Sequence, residues 1–317
     1  MLPFFDLHCD TFLELFKKKE QIKDNSLHIS HSKATKLSPY IQVGAIWSDY
    51  RLSNGDAFKN FLAIVDYLAD QGISFLTDLS KLDKNNFILG VEDARLLNND
   101  LSRLDILYSK GVRILTLNWK GVNIIGGGWD TNMPLTEFGK NVVRRCCELG
   151  IIVDLSHSST DVFFDAWELT NNYGASPIAS HSNSFSICNH KRNLSDEQFK
   201  ALSKTNSIIG ISFVPQHLGN NATTDTIISH IDHFLKLGGE NNIAFGSDFD
   251  GTNDLPKGIY SIESIHILHS KLVTYFGETI TKKLFYDNAF RFFNNYLRKE
   301  PWYVSIHNGR FAFVFFC

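Results

Sequence analysis

The chain has 317 residues, enough for one or two domains at roughly 150 residues each. Its 31 Lys and Arg against 34 Asp and Glu leave a net charge of −3, which argues against a basic nucleic-acid face and gives no electrostatic reason to sit on anionic membrane. With 43% hydrophobic and 21% charged residues the chain is of ordinary globular type, not disordered. No apolar run reaches the roughly 18 residues of a spanning helix; the longest is Phe311–Cys317. Asp6 and Asp10 interrupt the N-terminal apolar stretch, so no signal peptide is read there and the expected location is cytoplasmic. The five cysteines are odd in number and contain no C-x-x-C, so neither a disulfide framework nor a zinc ribbon is expected. Cys146 and Cys147 read as small apolar side chains on a helix.

In chain order, short apolar or β-branched runs occur at Phe4–Cys9, Ile41–Trp47, Phe87–Val91, Val112–Leu117, Ile151–Leu155, Pro177–Ser180, Ile208–Val214 and Ile243–Gly246. Most are continuously apolar, as strands covered on both faces are. Helical periodicity fills Ala57–Gln71, Leu96–Lys110, Leu135–Leu149, Asp161–Tyr173, Asp196–Lys204 and Thr224–Leu237, with stops at Gly72, Gly111, Gly150 and Gly238. Eight strands alternating with helices predict a (β/α)8 TIM-type barrel, as one domain over 1–317 with strand–helix repeats to about 293. An open doubly wound sheet is the rival, but no G-x-G-x-x-G follows the first strand. Segments 17–40 and 252–262 read as long loops, Lys17–Lys19 as a solvated helix end, and the tail 294–317 has no clear periodicity.

In a barrel the active site gathers where strands end. The first run ends Asp6-Leu7-His8-Cys9-Asp10, and strand alternation puts His8 and Asp10 on one face. The third ends in Glu92-Asp93, the fifth in Asp154-Leu155-Ser156-His157, the sixth in Ser180-His181-Ser182 and the eighth in Ser247-Asp248-Phe249-Asp250-Gly251. Singly, each has an ordinary structural reading: a bonded histidine, a capping Asp154 or Ser156, a turn at Asp250-Gly251. Together they bring three imidazoles and three carboxylates to one rim, a charge that is costly to bury without a cation. A mixed His/carboxylate set suits zinc, and it suits two ions better than one. His230/His233 and His266/His269 lack the glutamate of H-E-x-x-H and read as surface-helix histidines. Gly126-Gly127-Gly128 lacks the Lys-Ser/Thr of a P-loop and reads as a flexible turn.

These motifs resemble the membrane (renal) dipeptidase family and its bacterial relatives. Asp6-Leu7-His8-Cys9-Asp10-Thr11 is similar to its D-x-H-x-D-T opening, Gly90-Val91-Glu92 to its G-x-E and Asp154-Leu155-Ser156-His157-Ser158 to its D-x-S/A-H-x-S. Ser180-His181-Ser182-Asn183 with Lys191-Arg192-Asn193-Leu194 resembles its S-H-S…R-N stretch, and Gly246–Gly251 its G-S-D-F-D-G. The resemblance implies a binuclear zinc dipeptidase on an amidohydrolase-type barrel. His8, Asp10 and Glu92 would hold one zinc, and Glu92 would bridge to a second held by His157 and His181. Asp248 would be the acid–base residue, and Arg192 would receive the substrate carboxylate. Mammalian members carry a substrate-contacting His after strand four, where this chain has Leu117-Asn118-Trp119; Asn118, Asn123 or the metals are the candidates for oxyanion stabilisation, and Asn118 and Trp119 for substrate contact.

The expected mechanism uses a hydroxide shared by two zinc ions, whose coordination lowers the pKa of water toward 7. The expected partner is a small dipeptide, with no nucleic acid, no membrane and a possible homodimer. Rival readings are another metal-dependent amidohydrolase, acting on N-acyl amino acids, cyclic amides or β-lactams, and a non-catalytic metal-binding barrel.

Overall fold

The apolar runs become parallel strands: β1 (Leu2–Cys9), β2 (Leu37–Trp47), β3 (Phe87–Glu92), β4 (Val112–Thr116), β5 (Ile152–Asp154), β6 (Ile209–Ile211) and β7 (Ile243–Phe245). The structure, a computed structural model, describes residues 1–82, 86–297, 304–307 and 310–313. The seven strands form one curled sheet in the order β5-β4-β3-β2-β1-β7-β6. The helices are α1 (Thr11–Lys18), α2 (Asn54–Asp70), α3 (Ser102–Ser109), α4 (Glu137–Leu149), α5 (Thr160–Asn172), α6 (Asp196–Ser203), α7 (Pro215–Leu218), α8 (Thr224–Lys236), α9 (Ile265–Lys282) and α10 (Asn288–Tyr296). A hairpin, β8 (Val304–His307) with β9 (Arg310–Phe313), lies in the tail. Cys317 lies outside the described residues.

Eight strands were expected, and one of them is not a strand. Pro177–Ser180 makes a single parallel bridge from Ile178 to Asp154 and another from Ala179 to Ile209. Pro177 has no N–H to give, and the N–H of Ser180 goes to the Asp154 carboxylate at 2.8 Å instead of to a neighbouring strand. The ladder is therefore cut short at both ends, and the two edge strands of the sheet are linked through two residues. Gly210 and Gly246 permit this approach. A Cβ at either would lie 1.9 or 1.7 Å from the Ser180 carbonyl oxygen, so any larger residue would push the segment away.

Alternation divides the apolar residues into two layers. Ile88, Ile114, Ile152 and Ile178 pack inside the curl with Phe5, Leu7, Ile41 and Val43, and Phe292 and Phe293 of α10 join this cluster. The alternate residues, among them Leu89, Val91, Leu115 and Val153, pack outward against the helices, where Cys146 is also buried. Glu92 and Asp154 follow the inward-facing series at the strand ends, which is why polar groups crown an apolar plug.

Three differences from the periodicity have local causes. Leu96–Lys110 is a 3-10 turn (Ala94–Leu97) followed by α3, because Asn98 and Asn99 both adopt positive φ, 50° and 58°. The helical pattern of α9 is broken at Gly277, whose φ is 80°. Gly126–Gly128 is not a flexible turn but a buried, tightly packed one: a Cβ at Gly127 would lie 2.1 Å from Thr131 Oγ1 and one at Gly126 2.7 Å from the Pro134 carbonyl oxygen.

Candidate metal centre

The strand ends converge as their positions require. His8 and Asp10 come from the end of β1, Glu92 from β3, His157 from the turn after β5, His181 from the turn after the 177–180 segment, and Asp248 from the turn after β7. All six are buried. Strict alternation does not aim His8. The register of β1 against β2 shifts between Asp6, opposite Gln42, and Cys9, opposite Gly44, so β1 carries one extra residue there. This bulge lets Phe5 and Leu7 fill the interior while the His8 ring still reaches the rim, 3.8 Å from the ring of His181.

Glu92 sits at the centre. Its Oε2 lies 3.8 Å from His8 Nε2, and its Oε1 lies 2.9 Å from His157 Nε2 and 3.6 Å from His181 Nε2. Asp10 Oδ2 is 3.7 Å from His8 Nε2. Two groups, His8–Asp10–Glu92 and Glu92–His157–His181, each place one ligand atom per residue within 4.8 Å of one another and share Glu92. Asp248 Oδ2 stands 4.0 Å from His181 Nε2. A Cβ on Gly251 would fall 2.2 Å from both Asp10 Oδ2 and Asp248 Oδ1, so this glycine keeps the space between the two carboxylates open.

Neighbouring groups fix how the imidazoles face. His157 Nδ1–H donates to the Trp119 carbonyl oxygen at 3.1 Å, which turns Nε2 toward the centre. His181 Nδ1 is 2.7 Å from Ser180 Oγ, itself 2.6 Å from Asp154 Oδ2. Asp154 also groups with His8 and His181, one ligand atom of each lying within 4.8 Å of the others. Its oxygens, however, already accept from the backbone N–H groups of Ser156 and Ser180 and from the hydroxyls of Thr116 and Ser180. Asp154 therefore orients His181.

The electrostatics are those of a site built for a cation. Burial drives Glu92 well above the usual carboxylate range, with Asp10 adding repulsion. Asp248 is pushed up to about 6, by burial first. Burial holds His157 and His181 well below the ordinary imidazole range, helped by the Arg192 charge on one and by His8 on the other, so both keep a lone pair free. His8 goes the other way. Burial opposes its protonation, yet the Asp10 and Glu92 carboxylates, 3.7 and 3.8 Å from Nε2, raise it to about 10. The ring answers a negative pocket by holding a proton. His8 Nε2 and Asp10 Oδ1 make no hydrogen bond among the described residues. Buried, unsatisfied ligand atoms around a shared carboxylate are what a bound metal would satisfy. His157, Asp248, Asp93 and Asp250 also hold positive φ of 63–71°, so backbone strain gathers at this rim.

The remaining expected residues separate. Arg192 is buried, its terminal nitrogens donating to the His181 carbonyl at 2.9 Å and Ser182 Oγ at 3.2 Å, and its Nε has no partner among the described residues. It lines a cavity of about 500 Å³ over the cluster, and Trp119 lines the same cavity. Asn118 does not: its amide donates to Asn123 Oδ1 and the Gly126 carbonyl. Asn123 in turn donates to Asp93 Oδ1 and the Leu117 carbonyl, so neither amide is free for an oxyanion. Both build the loop. Asp250 accepts from Thr11 Oγ1 and the His28 N–H, which ties the turn after β7 to α1 and to the 17–40 loop. Sequence reasoning missed Trp47, which ends β2 and lines the cavity; its strand-end position was the available signal.

His230 is a correction. It is fully buried, not on a surface: Nδ1 accepts the Ser184 N–H at 3.0 Å and Nε2–H donates to the Leu218 carbonyl at 3.2 Å. His233 pairs with Asp196 at 2.8 Å. Burial lowers His230 from 6.5 to about 4. Its contribution to stability is present above pH 6.5 and is lost as pH falls toward 4, where the unfolded state alone binds the proton, an effect of about 3 kcal/mol. His230→Gln should make urea unfolding midpoints fall less steeply than wild type between those pH values. Parallel curves would place the acid sensitivity elsewhere.

The family model for membrane dipeptidase (peptidase family M19) matches residues 1–300. The chain belongs to the membrane dipeptidase family. Solved relatives share its fold. A dipeptidase AC, a metallopeptidase of family M19, aligns over 93% of this chain and 99% of its own at 23% identity with a TM-score of 0.85. A metallopeptidase from Rhodobacter sphaeroides, solved with a phosphinate mimic of the dipeptide L-Ala-D-Ala, aligns over 93% and 99% at 22% identity and 0.85. The probable dipeptidase PvdM from Pseudomonas aeruginosa aligns over 94% and 96% at 18% identity and 0.82. Family M19 members are metallo-dipeptidases, and in this member no helix among the described residues is long and apolar enough to cross a membrane.

Proposed function

We propose that this chain hydrolyses the peptide bond of dipeptides that carry a free C-terminal carboxylate, and that it works with two zinc ions. One observation carries the reading: a single buried carboxylate, Glu92, lies between two ligand groups, His8 with Asp10 and His157 with His181. When bound there, zinc supplies a water of pKa near 7 and polarises the scissile carbonyl. Asp248 takes the proton from the attacking water and returns it to the leaving nitrogen, a role suited to a carboxyl held near neutrality. Arg192 receives the substrate carboxylate. Its plane is set by the His181 and Ser182 contacts, and its unpartnered Nε–H is left for an anion. Trp119 flanks the substrate.

The test is hydrolysis by the zinc-loaded protein of a dipeptide panel set against N-acetyl amino acids and C-terminally amidated dipeptides. Faster turnover of the N-acetyl amino acids would transfer the protein to another amidohydrolase activity. Arg192→Lys keeps the charge but loses the fork. It should raise KM for free dipeptides about tenfold or more, the value of a charge-assisted hydrogen bond near 2 kcal/mol, and leave the already poor amidated analogues little changed. Equal losses on both substrates would remove Arg192 from carboxylate binding.

A further inference from the structure

The cavity has two chemically different sides. Arg192 and His217 come from segments that follow the 177–180 run and β6, whereas Trp47 and Trp119 follow β2 and β4. In the strand order β5-β4-β3-β2-β1-β7-β6 these are opposite arcs of the rim, with Glu92 of β3 on the tryptophan arc and Asp248 after β7 on the other. A dipeptide anchored by its carboxylate at Arg192, with its scissile bond over the cluster, extends its N-terminal residue toward the tryptophans. This step rests on the dipeptidase reading.

Those tryptophans form a braced wall. Trp47 and Trp119 meet edge to face at 4.8 Å, and Tyr50 stacks parallel on Trp119, centroids 5.8 Å apart and planes 7° apart. Trp47 also meets Tyr50 at 5.8 Å. The Trp119 carbonyl is held by His157, so the wall is tied to the cluster itself. Leu13 of α1 adds an apolar face, while Lys17 and Lys120 stand at the rim. Three rings that brace one another present apolar area with little entropy left to lose; of the rim lysines, Lys17 is paired with Glu14 at 2.8 Å, and Lys120 disfavours a cationic side chain.

We infer that this wall is a specificity subsite for the N-terminal residue, and that the preferred substrates are dipeptides whose first residue has a large apolar or aromatic side chain. Trp47 and Trp119 touch that side chain; Tyr50 is a positioning residue that keeps Trp119 in place. Tyr50 is 65% exposed, so its removal uncovers no core.

The experiment compares kcat/KM of the zinc-loaded enzyme for Phe-Ala, Leu-Ala, Gly-Ala and Lys-Ala. Burying a large side chain favours Phe-Ala and Leu-Ala over Gly-Ala about tenfold to a hundredfold, and Lys-Ala falls at or below Gly-Ala. Trp47→Ala should bring the Phe-Ala to Gly-Ala ratio to within about threefold of unity. Tyr50→Ala should lower the same ratio severalfold, and it decides the matter if Trp47→Ala does not fold. A ratio near unity in the wild type, a preference for Lys-Ala, or variants that lose Phe-Ala and Gly-Ala activity in equal proportion would overturn the subsite while leaving the dipeptidase reading intact. Failure to cleave any of the four dipeptides would instead remove the dipeptidase reading, and the subsite with it.

Discussion

Asp248→Asn is expected to lower kcat by about 10²–10⁴-fold, the usual contribution of a general acid–base group, with zinc content little changed. The carboxylate stands at the edge of the cluster, 4.0 Å from His181 Nε2 and outside both groups that share Glu92. Burial has already moved it up to about 6, so in the wild type it can both accept and return a proton near neutral pH. The amide keeps the shape and can do neither. Metal analysis beside single-turnover kinetics separates the possibilities. Loss of an ion from Asp248→Asn would mean that the residue ligates, and the proton-transfer assignment would pass to another group.

Glu92→Gln should have the second large effect, and its sign should reverse with metal. In the zinc-loaded protein the variant loses the one carboxylate that both ligand groups use, so zinc content should fall from near two per chain to below one and turnover should disappear with it. In chelated protein the opposite holds. Burial makes the Glu92 charge unfavourable, and Asp10 aggravates it, so a neutral amide of the same shape should leave the apo variant as stable as the apo wild type or more so. Thermal unfolding with and without chelator therefore gives a specific pattern. The wild type drops several degrees on chelation, because an ion that binds only the folded state stabilises it, and the variant drops little. A variant that still gains from zinc as much as the wild type would show that the ions do not depend on Glu92.

The tryptophan wall adds to this picture without altering the chemistry. The residues proposed as ligands, acid–base group and carboxylate fork occupy the charged part of the rim, and the strand ends that carry no charge, β2 and β4, supply Trp47 and Trp119. A division of that kind lets specificity change by loop substitution while the reacting groups stay put.

Much of the fold and of the rim is legible in the sequence. Apolar runs of four to seven residues, covered on both faces, place strands correctly at β1 to β5 and at β6 and β7, since a buried parallel strand has few other ways to look. The polar residue after each run then marks the rim, and His8, Glu92, His157, His181 and Asp248 do meet there. Helices were less legible where a glycine or a pair of asparagines cut the period, as at Gly277 and at Asn98 and Asn99. His230 was misread because an amphipathic pattern shows that one face of a helix is buried but not which polar residue finds two buried backbone partners.

What the sequence determined by itself is the alternation of strand and helix and the chemical types at the strand ends, because hydrophobic period and residue chemistry are local properties. Tertiary structure decided the rest. It reduced Pro177–Ser180 to two bridges, because the Ser180 N–H finds the Asp154 carboxylate and two glycines on other strands leave room for its carbonyl. It aimed His8 through a bulge that exists only against β2. It spent the amides of Asn118 and Asn123 on their own loop, and it set Trp47 beside Trp119, 72 positions apart in the chain. Each of these depends on which buried donor meets which acceptor across the fold, and that pairing is settled only when distant segments are packed together.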